Sequence, residues 1–178
     1  LANNKAERLK SLDLLLPMQA KDFEDIIRIM NSKPVTIRLL DPPLNEFINS
    51  ENLKNIAELA KLLDTSEEKI LIKINEISEQ NPMLGHRGCR LAITYPEIYQ
   101  MQAAAIFTAI NNLLNEGLNP IVEIMIPIVL SAEELSILSK EINQIAGQFG
   151  LEQGTHFKIG TMIELPRACL VADKIAQH

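Results

Sequence analysis

Tryptophan is absent from the 178-residue sequence and aromatic side chains make up only 4% of it, so a core has to be assembled from Leu, Ile, Val and Ala. No apolar run approaches the roughly 20 residues that a bilayer-spanning helix requires, and no signal peptide opens the chain. Lys and Arg form no block, and the net charge is −6; that field argues against nucleic acid as a partner. The two cysteines, Cys89 and Cys169, lie far apart and make no Cys-x-x-Cys pair. Free thiols in a reducing cytoplasm are the simple expectation. No Gly-x-Gly-x-x-Gly element follows the first apolar run, which counts against dinucleotide binding. A chain that begins with Leu1 is expected to be processed or truncated.

What is present is an ordinary globular composition, 47% hydrophobic and 22% charged, with length enough for one domain and a sizeable core. Three charges stand out. Arg38, Arg87 and Glu164 each close a short apolar run, in Pro34-Val-Thr-Ile-Arg-Leu-Leu-Asp41, Asn81-Pro-Met-Leu-Gly-His-Arg-Gly-Cys-Arg90 and Phe157-Lys-Ile-Gly-Thr-Met-Ile-Glu164. Each run reads as a buried strand that delivers a charge where strand gives way to loop. Parallel barrels build their active sites in this way. Two arginines and a carboxylate suit a small, doubly anionic substrate and a divalent metal.

Along the chain, residues 1–31 predict two helices in tandem, with a break at Pro17. A strand follows at 35–40 and stops at Asp41-Pro-Pro43. Residues 44–80 predict helices without strands: Ser50 is a candidate cap for a helix to about residue 63, and Thr65 with Glu68 has capping-box spacing. This segment is either an insertion near the mouth of a site or a plain solvated helical pair. Thr94 with Glu97 suggests another capping box, and Pro96 suits the first turn of a helix ending at Gly117. A strand at 121–126 leads to Ser131 and Glu134, which cap a helix to about residue 149. The last strand, 157–163, precedes a helix opened by Pro166. The near-continuous apolar runs favour strands buried on both faces of a parallel sheet. The alternation means α/β: a partial (β/α)8 TIM barrel of about four βα units, against the ~250 residues of a full one. Periodicity alone leaves an open doubly wound sheet possible. An unclosed barrel is expected to expose strand edges, so the isolated chain should associate or be marginally stable.

The segments Thr36-Ile-Arg-Leu-Leu-Asp-Pro-Pro-Leu44, Asn81-Pro-Met-Leu-Gly-His-Arg-Gly-Cys-Arg-Leu91, Thr94-Tyr-Pro-Glu-Ile98 and Gly160-Thr-Met-Ile-Glu-Leu-Pro-Arg-Ala168 resemble the pyruvate, phosphate dikinase family along nearly the whole chain. The resemblance implies that residues 1–178 are a fragment of the phosphoenolpyruvate/pyruvate-binding barrel, with 44–80 as a helical insertion. It implies a cytoplasmic, homo-oligomeric parent that makes no use of membrane or nucleic acid. That parent interconverts ATP, pyruvate and phosphate with AMP, phosphoenolpyruvate and pyrophosphate through a phosphohistidine. Its phosphohistidine and nucleotide-binding domains would be partners of this one. By the same resemblance, Arg38 and Arg87 hold substrate phosphate and carboxylate, and Glu164 binds Mg²⁺. A Gly-Thr-Asn-Asp element and a later catalytic cysteine have no counterpart here, so the fragment is expected to be inactive alone. No catalytic residue is assigned within it. Alternatives are a phosphoenolpyruvate synthase-type enzyme or a non-catalytic module derived from the barrel.

Rival readings stay open for each residue. Arg38 could instead be an ion-pair partner of Asp41, and Glu164 a cap for the final helix. Arg90 favours pairing within the barrel. His86 is expected to act as a supporting hydrogen bonder, Asp41 to support the mouth of the site, and both cysteines to be buried.

Overall fold

A computed structural model describes residues 2, 4–47, 56–77, 81 and 83–178; Ser50 lies outside them. In chain order the elements are α1 (Lys5–Met30), β1 (Pro34–Arg38), a 3-10 turn (Leu44–Phe47), α2 (Ile56–Leu62), α3 (Glu67–Ile77), α4 (Gly88–Thr94), α5 (Pro96–Asn115), β2 (Ile121–Ile126), α6 (Ala132–Gln148), β3 (Phe157–Thr161), α7 (Pro166–Leu170) and α8 (Ala172–Ile175). The three strands pair in parallel in the order β1-β2-β3. Arg38 stands opposite Met125, and Met125 opposite Gly160. The architecture is α/β and fits a partial α/β barrel.

The expected count of about four βα units is corrected to three strands among the described residues. The segment around Arg87 is a turn that leads into helix α4, not a strand. Turn chemistry overrides its apolar content. The Asn81 side-chain oxygen accepts from the backbone N–H groups of Met83 and Leu84 at 3.0 Å each, and Gly88 adopts φ +53°. An Asx-type turn followed by a left-handed glycine cannot continue a ladder.

The paired helices expected at 1–31 are one helix with Pro17 inside it. A proline in a helix interior costs about 3 kcal/mol. Contacts on both sides of Pro17 offset that cost. Leu12, Phe23 and Ile27 enter the main core. Near the start, Arg8 Nε donates to Glu97 Oε1 at 2.6 Å; near the end, Arg28 Nη2 donates to Glu116 Oε1 at 2.8 Å. These pairs tie α1 in parallel along α5. Burial pushes the Glu97 carboxyl upward, but the bond from Arg8, a backbone hydrogen bond and the charges of Arg8 and Lys5 together outweigh this and leave it below the ordinary range. Glu97 is therefore an ion-pair partner and not a capping-box member. Thr94 donates to the Arg90 carbonyl, and α5 starts from Tyr95 without a side-chain cap.

Other local signals hold. Pro96 lies in the first turn of α5, and Ser131 with Glu134 forms a complete capping box. In α3 the capping oxygen comes from Ser66, one residue after the expected Thr65, and accepts from Lys69 N–H. Residues Ile56, Ala60 and Ile70 form a small cluster separate from the main core.

Burial on both faces of the sheet is also corrected. On β2, Val122, Ile124 and Ile126 are buried whereas Ile121, Glu123 and Met125 are half-buried. The covered face packs under α5 and α6; the rings of Phe107 and Phe157 lie 4.8 Å apart. The opposite face carries Thr36, Arg38, Glu123, Met125, Lys158 and Gly160, since side chains alternate along a strand. Thr36, Lys158 and Gly160 on it are exposed.

Candidate functional site

The C-terminal ends of the three strands lie together by register, and all three charges singled out in the sequence are found at that end. Arg38 is the last residue of β1. Its Nη1 lies 3.3 Å from Asp41 Oδ2 and 3.9 Å from the sulfur of Met162, which follows β3. Nearly half of its side chain is exposed (47%). Arg87 stands immediately before α4 and is largely buried, with 16% of its side chain exposed. Its Nη2 is 2.8 Å from Asp41 Oδ1, and its Nε donates to the Asp41 carbonyl at 3.2 Å. Asp41, itself buried, thus meets both guanidinium groups.

The backbone around Asp41 is fixed from α5. Gln102 Oε1 accepts from Leu40 N–H at 2.9 Å, and the Tyr99 hydroxyl donates to the Leu40 carbonyl at 2.8 Å. Both side chains are buried, and burial pushes the Tyr99 phenol well above its ordinary range, so it stays a donor. Gly88 N–H adds a bond to the Asp41 carbonyl at 3.2 Å. Sequence reasoning missed Tyr99 and Gln102. The only available signal was a polar atom within a helix segment that is otherwise apolar.

Glu164 follows β3, and its Oε1 accepts from Ile128 N–H at 2.8 Å. It therefore makes a loop contact rather than capping α7, which starts from Leu165 without a side-chain cap. Ile128, in the loop after β2, is buried and adopts φ +50°. That conformation is strained for a β-branched residue. Its surroundings hold it there: the Cys89 thiol donates to the Ile128 carbonyl at 3.4 Å, and the Ile128 side chain lies over Gly88. A Cβ on Gly88 would fall 2.4 Å from Ile128 Cγ1. Arg87, Gly88, Ile128 and Glu164 are thus joined by direct contact.

Of the remaining candidates, Arg90 ties the turn to α4. Arg90 donates to the carbonyls of Gly85 and Met83 at 2.9 and 3.0 Å. His86 lies against Tyr95 with ring centroids 5.5 Å apart, and the Arg8 guanidinium sits 4.3 Å over the same Tyr95 ring. Cys89 is buried, whereas Cys169, expected in the core, is exposed because α7 turns it outward. Burial pushes the Cys89 thiol up to about 12. At pH 8 a thiol reagent is expected to modify Cys169 alone in the folded protein and both cysteines after unfolding. Rapid modification of both in the folded state would contradict the burial of Cys89.

Among the described residues no group of three His, Cys, Asp or Glu could hold a metal unaided. Glu164 nevertheless suits Mg²⁺ as a single ligand. It is a hard oxygen donor oriented by one backbone N–H, and Mg²⁺ commonly takes one or two carboxylates together with substrate oxygens and water.

A family profile described as PEP-utilising enzyme, PEP-binding domain matches residues 2–178. Pyruvate, phosphate dikinase 1, chloroplastic, of Arabidopsis thaliana is 49% identical over 175 residues, covering 97% of this chain and 18% of that protein. Pyruvate, phosphate dikinase 2 of Zea mays is 49% identical over 174 residues, covering 96% and 20% respectively. The rice chloroplastic dikinase 1 is 46% identical over 181 residues, covering 100% of this chain and 19% of that protein. The chain therefore spans about a fifth of the length of these curated relatives. With a parallel sheet whose strand ends gather two arginines and a carboxylate, and a profile match along its length, the chain belongs to the PEP-utilising enzyme family, in its PEP-binding domain.

Proposed function

We propose that these residues form part of the phosphoenolpyruvate/pyruvate site of a pyruvate, phosphate dikinase. The observation that carries this reading is the gathering of Arg38, Arg87 and Glu164 at one end of the sheet, with Asp41 contacting both arginines. The names of the relatives support the choice of enzyme within the family. On this reading residues 1–178 belong to the barrel domain, with 44–80 as an insertion. The phosphohistidine and the nucleotide site belong to other domains of a homo-oligomeric phosphotransferase. The 178 residues alone do not turn over, because they include neither the Gly-Thr-Asn-Asp element nor the later cysteine of the family's site.

Phosphoryl transfer concentrates negative charge on the moving group, and catalysis is largely positioning and electrostatic stabilisation. Arg87, held by an ion pair with the Asp41 carboxylate and a hydrogen bond to the Asp41 carbonyl, offers its remaining donors to a carboxylate or phosphate. Arg38, half-exposed and 3.3 Å from Asp41 Oδ2, offers a second guanidinium to the same anion. Glu164 contributes a carboxylate to Mg²⁺, whose role when bound is Lewis-acid stabilisation of charge on substrate oxygens. Two free thiols fit a reducing compartment. We propose the cytoplasm, although the plant relatives named chloroplastic occupy another compartment that would serve.

The test of the activity is phosphorus NMR of the full-length protein carrying these residues, supplied with ATP, pyruvate, Mg²⁺ and inorganic phosphate. Pyrophosphate should form, and only when phosphate is added. Release of inorganic phosphate from ATP without that requirement would point instead to the synthase-type reaction. For the metal, Glu164→Gln is expected to weaken Mn²⁺ binding in the presence of phosphoenolpyruvate by about tenfold or more, since losing even a residue that only orients a ligand typically costs about tenfold to a hundredfold. Electron paramagnetic resonance reads free Mn²⁺ directly, and an unchanged affinity would remove Glu164 from the metal site.

A further inference from the structure

Asp41 touches neither substrate nor metal in the reading above, yet it is the residue that both substrate arginines share. It is buried, its carboxylate lies between the two guanidinium groups, and its carbonyl accepts from both Arg87 Nε and Gly88 N–H. Nor can it drift. Leu40 beside it is tied at both backbone atoms to Tyr99 and Gln102, and Pro42 and Pro43 follow it.

We propose that Asp41 is a positioning residue that sets Arg38 and Arg87 convergent before the substrate arrives. The proposal rests on the phosphoenolpyruvate site described above. Two guanidinium groups brought to one small anion repel each other when the anion is absent. A fixed carboxylate between them offsets that repulsion and holds each fork at its working position. The grip is unequal. Arg87 has a carbonyl and a carboxylate oxygen, whereas Arg38 has one oxygen at 3.3 Å. Removing the charge from Asp41 therefore releases Arg38 first, since an asparagine can keep its oxygen on Arg87 only by turning its amide toward Arg38, donor against donor.

The sign of the effect separates positioning from simple electrostatics. Asp41→Asn makes the pocket more positive by one charge, so attraction alone would tighten binding of a dianion. Positioning demands the reverse. Calorimetric titration with phosphoenolpyruvate and Mg²⁺ should show affinity falling about tenfold in Asp41→Asn. In an Arg38→Gln background the same change should cost less than about twofold, because coupled residues are non-additive. Equal or tighter binding by Asp41→Asn overturns the proposal, as does a full tenfold loss in the Arg38→Gln background. Absence of binding by the unaltered protein overturns the site reading itself, and the proposal with it. A second measurement needs no variant: nitrogen NMR of the ligand-free protein should show hindered rotation of the Arg87 guanidinium, and free rotation overturns the proposal even if Asp41→Asn does not fold.

Discussion

Arg87→Ala is expected to abolish measurable phosphoenolpyruvate binding and to destabilise the fold at the same time. The binding loss follows from the fork. Two charge-assisted hydrogen bonds to one anion are together worth about 3–5 kcal/mol, a factor of about a hundred or more in affinity. The stability loss follows from the partner left behind. Asp41 is buried and would keep only the longer contact to the half-exposed Arg38. A buried charged acceptor that loses its near partner costs about 1–3 kcal/mol. Arg87→Lys separates the two effects. It keeps a cation near Asp41 but lacks the planar fork, so most of the stability should return while affinity stays at least about tenfold down. Denaturant unfolding monitored by circular dichroism gives the first quantity and calorimetry the second. Wild-type affinity in Arg87→Lys would show that Arg87 acts as a point charge only.

Gly88→Ala carries the largest expected effect on the fold. Two costs combine at one position. A Cβ would sit 2.4 and 2.6 Å from Ile128 Cγ1 and Cδ1, and the backbone is at φ +53°. Left-handed backbone costs an alanine about 1–2 kcal/mol, and overpacking a filled site typically adds about 1–3. A total of about 3 kcal/mol should lower the melting temperature by roughly 6–12 °C for a chain of this size. Gly117→Ala is the matched control. It shares the positive φ, at +79°, but has nothing within 4 Å of the added methyl. Its cost should stop at the backbone term. Equal losses from the two variants would mean that Ile128 moves aside freely, and the contact joining Arg87 to Glu164 would lose its structural basis. Displacing Ile128 should also disturb its N–H bond to Glu164, so Gly88→Ala should weaken Mn²⁺ binding even where it folds.

The sequence made some elements legible because their causes are local. The strand Ile121–Ile126 is a short β-branched run between Pro120 and Pro127, and Ser131 with Glu134 announces α6 through a capping box that forms completely. The three charged positions were legible through motif resemblance and lie at one end of the sheet as a barrel would have them. Elsewhere the deciding contacts were distant. Pro17 breaks a helix by a local rule, but α5, some 80 residues on, holds α1 together as one helix through Arg8 and Arg28. Thr94 and Glu97 have capping-box spacing, yet Arg8 claims the carboxylate. The strand read around Arg87 failed for a different reason: apolar content was weighed above the turn signals of Asn81, Gly85 and Gly88. Ile128 carried no signal at all, and Tyr99 and Gln102 carried only their polar atoms within a largely apolar helix. Their work is done by hydrogen bonds to Glu164, Leu40 and Cys89 across 36 to 62 residues, and an unremarkable isoleucine in a loop gives no hint of a left-handed backbone.

The central claim is that the ends of β1 and β3, with the turn before α4, form an anion site for phosphoenolpyruvate. Titration calorimetry of the folded protein with phosphoenolpyruvate and Mg²⁺ tests it most directly. The account predicts saturable binding that weakens as salt is raised, because charged groups dominate it, and that disappears in Arg87→Ala. A protein that unfolds cooperatively yet releases no binding heat at several temperatures, or that binds equally well without Arg87, would contradict it.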